Sequence, residues 1–217
     1  MSLLGRKPPR IGRAQRTLRD DRFFVIATED THAPKQYFEN LAFPRVRVMI
    51  LPTEDGRSSP GGVLERLRQA FDSAKERGEV QPGDEFWLVL DTDHWVCGNH
   101  LRGLSEALGA ARREGFCFAL SNPCFELWLL LHHEDVPPGT TFSNCEAVAE
   151  RLRTKLRGYN KTNVQPADFP LGTLDQAIAR ARNLEATPDS PEGHWPQTNG
   201  TRVYLLLESI LRRRPVA

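Results

Sequence analysis

Two short apolar runs deliver carboxylates at their C-terminal ends. One is Phe23-Phe24-Val25-Ile26-Ala27-Thr28-Glu29, and the other is Phe86-Trp87-Leu88-Val89-Leu90-Asp91-Thr92-Asp93. Asp91 and Asp93 stand two apart, and residues two apart on an extended chain share a face. Such oxygen ligands suit a hard divalent cation, Mg²⁺ or Mn²⁺. Glu29, Asp91 and Asp93 are therefore the candidate metal ligands, in a pattern suited to phosphate chemistry. Carboxylates after strands also cap the next helix; the Asp91/Asp93 pair is what favours a metal.

Both runs read as strands of a sheet buried on both faces, and in open α/β sheets ligands gather at the C-terminal strand edge. The chain keeps alternating. A short helix after Pro34 carries Tyr37, Phe38 and Leu41 inward, and Val46 to Leu51 is a second strand. Pro60-Gly61-Gly62 opens a helix with Val63, Leu64, Leu67, Ala70, Phe71 and Ala74 at helical spacing, ended by Gly78 and Pro82-Gly83. After the acidic turn, Leu101, Leu104, Ala107, Leu108 and Ala111 line one helix face, and Phe116 to Leu120 is a fourth strand. This predicts an α/β fold with a mainly parallel four-stranded sheet flanked by helices.

The fourth strand feeds Ser121-Asn122-Pro123-Cys124-Phe125-Glu126-Leu127-Trp128-Leu129-Leu130-Leu131-His132-His133. A polar residue followed by proline predicts a helix start, and a helix apolar nearly all round predicts burial. Glu126, in its first turn, needs a partner to offset desolvation. A metal shared with the strand ends, an arginine, or the helix's own amides would each serve. His132 and His133 read as helix histidines, and His94 beside the acidic pair is the better ligand candidate. Beyond residue 135 the pattern is helical, over Cys145 to Leu156, Leu171 to Leu184 and Arg202 to Leu211. These helices are expected to pack over the sheet and wall the acidic site. The loops Gly158-Tyr159-Asn160-Lys161-Thr162 and His194 to Thr201 either offer a lysine and hydroxyls to a phosphate or serve as turns.

The 217 residues, 39% hydrophobic and 26% charged, suit one soluble domain with a substantial core. Its parts are a basic N-terminal arm (1–22), an α/β core (23–135) and a helical remainder (136–217). With no apolar stretch long enough to cross a bilayer and no secretory signal, the expected location is cytoplasmic. Cys97, Cys117, Cys124 and Cys145 form no CxxC pair and read as free, mostly buried thiols. The net charge of +1 hides an N-terminal cluster of Arg6, Lys7, Arg10, Arg13, Arg16, Arg19 and Arg22. Such an arm either attracts a polyanion, nucleic acid first, or is a solvated tail. Arg212-Arg213-Arg214 suits a helix C-terminus. No P-loop motif and no Gly-x-Ser-x-Gly elbow occurs, which argues against P-loop ATP hydrolysis and serine-hydrolase chemistry.

In order, the basic N-terminus, the strand ending in Glu29, Tyr37-Phe38, Asp91-Thr92-Asp93-His94 and the string Asn122 to Trp128 resemble the RloB-like proteins of prokaryotes, distant relatives of the Toprim domain. The likeness continues through Tyr159 and Lys161 to the Pro196 to Val203 segment. It implies a Toprim-like sheet and a divalent-metal nuclease of phage defence or abortive infection, cutting RNA or DNA, with an AAA-type ATPase as a conceivable partner. By position it assigns Glu29, Asp91 and Asp93 to the metal, Glu126 as an additional acid and Lys161 as a lysine near it. Asp30 departs from the glycine common at its position, and a further acid expected some residues later is missing around Thr31 and Pro34. The alternative is a non-cutting subunit that binds Mg-nucleotide or nucleic acid and works with a partner ATPase.

Overall fold

Strands with apolar residues on both faces must be covered on both sides, and that requirement organises the chain. A computed structural model describes residues 19–53, 56–93, 100–137, 139–185 and 195–212. The strands are β1 (Arg22–Thr28), β2 (Val46–Leu51), β3 (Glu85–Asp91), β4 (Cys117–Asn122) and β5 (Gly200–Thr201). They form one sheet in the order β2-β1-β3-β4-β5, with the first four parallel and β5 antiparallel to β4. This mostly parallel α/β sheet is compatible with the Toprim-like expectation.

The helices are α1 (Ala33–Glu39), α2 (Pro60–Glu76), α3 (His100–Arg113), α4 (Glu126–Leu131), α5 (Cys145–Leu156), α6 (Leu174–Glu185) and α7 (Val203–Leu211). Alternation along the strands sorts the core into two layers. Val25, Ala27, Leu88 and Leu90 pack with Val63, Leu64 and Leu67 of α2 and Leu104 and Leu108 of α3. Phe24, Ile26, Trp87 and Val89 face the other way, toward α1, α4, α6 and α7. Helix α4 lies on β4 and β5 and under α5 and α6, which is why all its residues are buried.

Local chemistry sets the helix ends. The Ser59 side chain accepts the Gly62 N–H at 3.2 Å and Pro60 opens α2. A Cβ at position 62 would lie 2.7 Å from the Arg57 carbonyl oxygen, so this turn requires glycine. Past the other end, Gly78 takes φ +64°, as a helix stop does. Asn144 caps α5 by accepting the Ala147 N–H at 2.9 Å.

The structure corrects three expectations. The sheet has a fifth strand: Ser121 and Asn122 extend β4 to pair with Thr201 and Gly200, and a two-residue strand carries no periodicity that could announce it. Pro123 does not open a helix. The Asn122–Pro123 bond is cis and α4 begins at Glu126, while the Asn122 side chain donates to the Pro196 carbonyl at 2.9 Å instead of capping. Arg19 and Arg22 are anchored rather than loose. The Arg22 guanidinium is buried, donating to the Ser209 and Ile210 carbonyls at the end of α7, and Arg19 pairs with Asp84 at 2.5 Å. Arg6, Lys7, Arg10, Arg13 and Arg16 lie outside the described residues, as do Cys97 and His94. Of the described thiols, Cys124 is buried, while Cys117 and Cys145 are half-buried.

Leu88 is fully buried in the central strand β3. Leu88→Ala removes packing on the α2/α3 face and should cost about 2–5 kcal/mol of stability, read by equilibrium urea unfolding.

Candidate functional site

The C-terminal edge of the sheet is built from backbone outward. Beyond β1, the Glu29 N–H donates to the Val89 carbonyl at 3.1 Å, so the ladder holds Glu29 beside β3. The turn that follows is pinned from several sides. Thr28 Oγ1 donates to the Asp30 carbonyl at 2.7 Å, Thr53 Oγ1 donates to the Thr28 carbonyl at 3.0 Å, and Arg66 reaches the Thr28 carbonyl at 3.3 Å and Thr53 Oγ1 at 2.8 Å. Asp30 Oδ1 accepts the His32 N–H at 2.7 Å, an aspartate turn.

At the end of β3, Asp91 and Glu29 meet: the Asp91 N–H donates to Glu29 Oε2 at 3.2 Å. Asp91 Oδ1 accepts the Phe125 N–H at 2.8 Å, which ties the acidic strand end to the start of α4. The Thr92 and Asp93 amides donate to the Pro123 carbonyl, each at 3.2 Å, and Asp93 Oδ2 accepts the Cys145 thiol at 2.9 Å. Glu126 is 2% exposed. Its Oε1 faces Lys161 Nζ at 3.4 Å and the Tyr159 hydroxyl at 3.4 Å, while its Oε2 is buried with no hydrogen-bond partner. Lys161 Nζ also pairs with Asp30 Oδ2 at 2.5 Å.

Electrostatics ties these groups into one site. Burial first, then the like charges of Glu29 and Glu126 and the nearby Cys145 thiol, push the Asp91 carboxyl well above the aspartate range, against the pull of Lys161. Burial opposes the charge on Lys161, but Glu126 and Asp30 outweigh it and hold the ammonium above its ordinary value. Burial, Glu126 and Asp30 likewise push the Tyr159 hydroxyl up, so it stays a proton donor to Glu126. A hydrogen bond to Cys145, then burial, raises the Cys124 thiol.

The structure thus brings Glu29, Asp91, Glu126 and Lys161 together and sets Asp93 on the Cys145 side. Glu126 is partnered by a lysine and a tyrosine rather than by an arginine. His132 lies between the Tyr37 hydroxyl at 3.0 Å and Thr173 Oγ1 at 2.8 Å, and burial lowers it to about 3, as befits a neutral structural histidine. The sequence put Tyr159 in a candidate loop and in the family likeness, but nothing in the spacing said that its hydroxyl meets Glu126 or that the Cys145 thiol meets Asp93, because each reaches the acids only through the packing of α5. A cavity of 810 Å³ lined by Arg19, Phe23, Arg47, Met49 and Arg77 opens at the starts of β1 and β2, the edge opposite the acids.

The donor set is of the oxygen type a hard cation takes: Glu29 and Glu126 raise the carboxyl of Asp91, and the buried Glu126 Oε2 lacks a hydrogen-bond partner. Among the described residues, no three His, Cys, Asp or Glu side chains are grouped so as to grip an ion unaided. No helix among the described residues is long and apolar enough to cross a membrane.

The raised Asp91 carboxyl sets a pH dependence. Protonated Asp91 is favoured by folding, so its contribution to stability is fully present below the ordinary aspartate pKa and is lost as pH rises through the raised value. Asp91→Asn should therefore raise the Tm of the metal-free protein at pH 7, and the gain should shrink toward pH 4, read by calorimetry across pH.

The family model for RloB-like proteins matches residues 24–210. Comparison with curated proteins finds no match, and comparison with solved structures finds none. Because the matched span runs from β1 into α7 and contains Glu29, Asp91, Asp93, Glu126 and Lys161, the chain belongs to the RloB-like family.

Proposed function

We propose that this protein is a divalent-metal-dependent nuclease that cleaves phosphodiester bonds of RNA or DNA, with phage defence or abortive infection as its setting and an AAA-type ATPase as its partner. The observation that carries the reading is the Asp91 carboxyl, held above its ordinary range between Glu29 and Glu126 at the ends of parallel strands. Buried like charges of this kind are costly unless a cation joins them. Glu29, Asp91 and Asp93 would hold Mg²⁺ or Mn²⁺. Such an ion polarises a phosphodiester and lowers the pKa of a bound water.

The chain's own groups supply the rest. The Phe125 N–H orients the Asp91 carboxylate, and the ladder bond of Glu29 to Val89 fixes the backbone that carries its carboxylate. Glu29 serves either as a ligand or as the base that takes a proton from the attacking water. Lys161, charged and half-exposed at 46% of its side chain, is placed to stabilise negative charge on the phosphoryl oxygens or the leaving group. Arg6, Lys7, Arg10, Arg13 and Arg16 would hold the strand through its phosphates without reading sequence.

Asp91→Ala should lower Mn²⁺-dependent cleavage of single- and double-stranded RNA and DNA on the order of 10³-fold or more while leaving the circular dichroism spectrum unchanged. Full activity in the folded variant would sink the assignment. A wild-type protein that cuts none of these, yet melts higher with Mg-nucleotide, belongs instead to the non-cutting, regulatory class.

A further inference from the structure

A second concave surface lies at the end of the sheet opposite the acids, and its origin is a packing gap. Helix α2 packs on β1 and β3, while β2 is the edge strand beyond β1. On the α2 side of the sheet β2 presents Arg47 and Met49, in register with Phe23 and Val25 of β1. Both β2 side chains are exposed, Met49 at 45%, because the helix stops short of them. The flank of α2 turned toward them carries the small side chains of Ala70, Ser73 and Ala74. The result is the groove of 810 Å³ at the starts of β1 and β2, a volume typical of small-molecule sites.

The lining combines apolar walls with guanidiniums: Arg19, Arg47 and Arg77 stand against a single lining carboxylate, Glu79. Two of these charges are already answered. Arg19 pairs with Asp84 at 2.5 Å and Arg77 with Glu79 at 3.0 Å. Arg47 differs, because its Nε lies 3.8 Å from Asp21 Oδ2, too far for a hydrogen bond, and its side chain is 65% exposed. The guanidiniums of Arg19 and Arg47 both sit over the Phe23 ring, 5.5 and 5.7 Å from its centroid. The charge of Arg47 is thereby held at the apolar wall of the groove.

We propose that this groove binds a small organic carboxylate with an apolar body, the body lying between α2 and β2 and the carboxylate on the Arg47 guanidinium. A planar carboxylate matches the guanidinium fork with two parallel hydrogen bonds. One weakly answered positive charge calls for one negative charge, which a carboxylate carries and a phosphate monoester exceeds at neutral pH. An uncharged apolar filler would cover Arg47 and leave its charge without a strong partner, at a cost in desolvation. Met49 gains apolar contact from such a body, and its unbranched thioether adapts to the shape that arrives. The groove is separate from the acids: Phe23 and Val25 line it at the start of β1, whereas Glu29 follows the end of that strand. The proposal therefore stands independently of the metal reading.

The test titrates the full chain with anilinonaphthalene sulfonate, a fluorescent monoanion with an apolar body, and then displaces the dye with decanoate or with uncharged decanol. The expected result is one saturable site per chain, with decanoate effective at a concentration about tenfold or more below that of decanol. Arg47→Gln should weaken decanoate about tenfold and leave decanol unchanged. Ser73→Trp, which fills the groove, should weaken the dye and both competitors. Both positions are exposed, so the variants keep the fold, as circular dichroism will check. No saturable dye binding, or binding that Ser73→Trp leaves unaltered, overturns the site. Decanol as effective as decanoate, or decanoate indifferent to Arg47→Gln, overturns the carboxylate and leaves an apolar cleft for a chain segment or a second copy. Should one variant unfold, the other variant and the wild-type comparison of decanoate with decanol decide.

Discussion

The ion pairs from Lys161 to Asp30 and Glu126 set the charge balance of the whole C-terminal sheet edge. Parallel strands end on the same side, so acids placed after β1 and β3 are forced into proximity, and Glu126 at the head of α4 joins them. Each added carboxylate raises the cost of ionising its neighbours, as the elevated Asp91 carboxyl records. A helix as apolar as α4 could not carry a glutamate at 2% exposure without a partner of opposite charge. The lysine that answers this need comes from the loop beyond α5, far along the chain.

That need explains the role of the helical C-terminal part. Helices α5 and α6 cover α4, and α7 packs on β4. The cover closes the core and also places side chains at the acids: Cys145 opens α5 and donates to Asp93, while Tyr159 and Lys161 follow its end and meet Glu126. At the far end of α4 a different network takes over. Tyr37, His132 and Thr173 are joined by hydrogen bonds inside an aromatic cluster with Phe125, Trp128 and Phe169. Helix α4 is thus held at this end by packing, neutral hydrogen bonds and the Arg180 guanidinium, which donates to the Leu131 carbonyl at 2.9 Å, and it meets the acids at the other. A rigid support of this kind fixes the position of functional side chains at its rim.

Much of this was legible in the residues. The unbroken apolar run Phe24-Val25-Ile26-Ala27 reports a strand buried on both faces, and the helical spacing of Val63, Leu64 and Leu67 reports the face that covers it. The bounds of β2 and α5 agree with the expectation to the residue. The misses share a cause. Strand β5 is held by two residues pairing with the end of β4, and Asn122 turns to the Pro196 carbonyl instead of capping a helix. Both depend on a segment that returns from far along the chain. Arg22 looks like part of a basic run, yet its guanidinium serves the last carbonyls of α7, a partner invisible until that helix has docked.

The sequence by itself determined the α/β class, the two-layer core and the acids carried at the ends of β1 and β3, because these follow from residue type and short-range period. It also placed Glu126 in a buried first turn, and so posed the question of its partner. Only the tertiary structure decided the answer. Which cation meets Asp30 and Glu126, which thiol meets Asp93, and how far burial lifts the Asp91 carboxyl all depend on distances between segments that no local pattern encodes. Electrostatic energies vary steeply with separation and with exclusion of water, and both quantities exist only once the helices have packed.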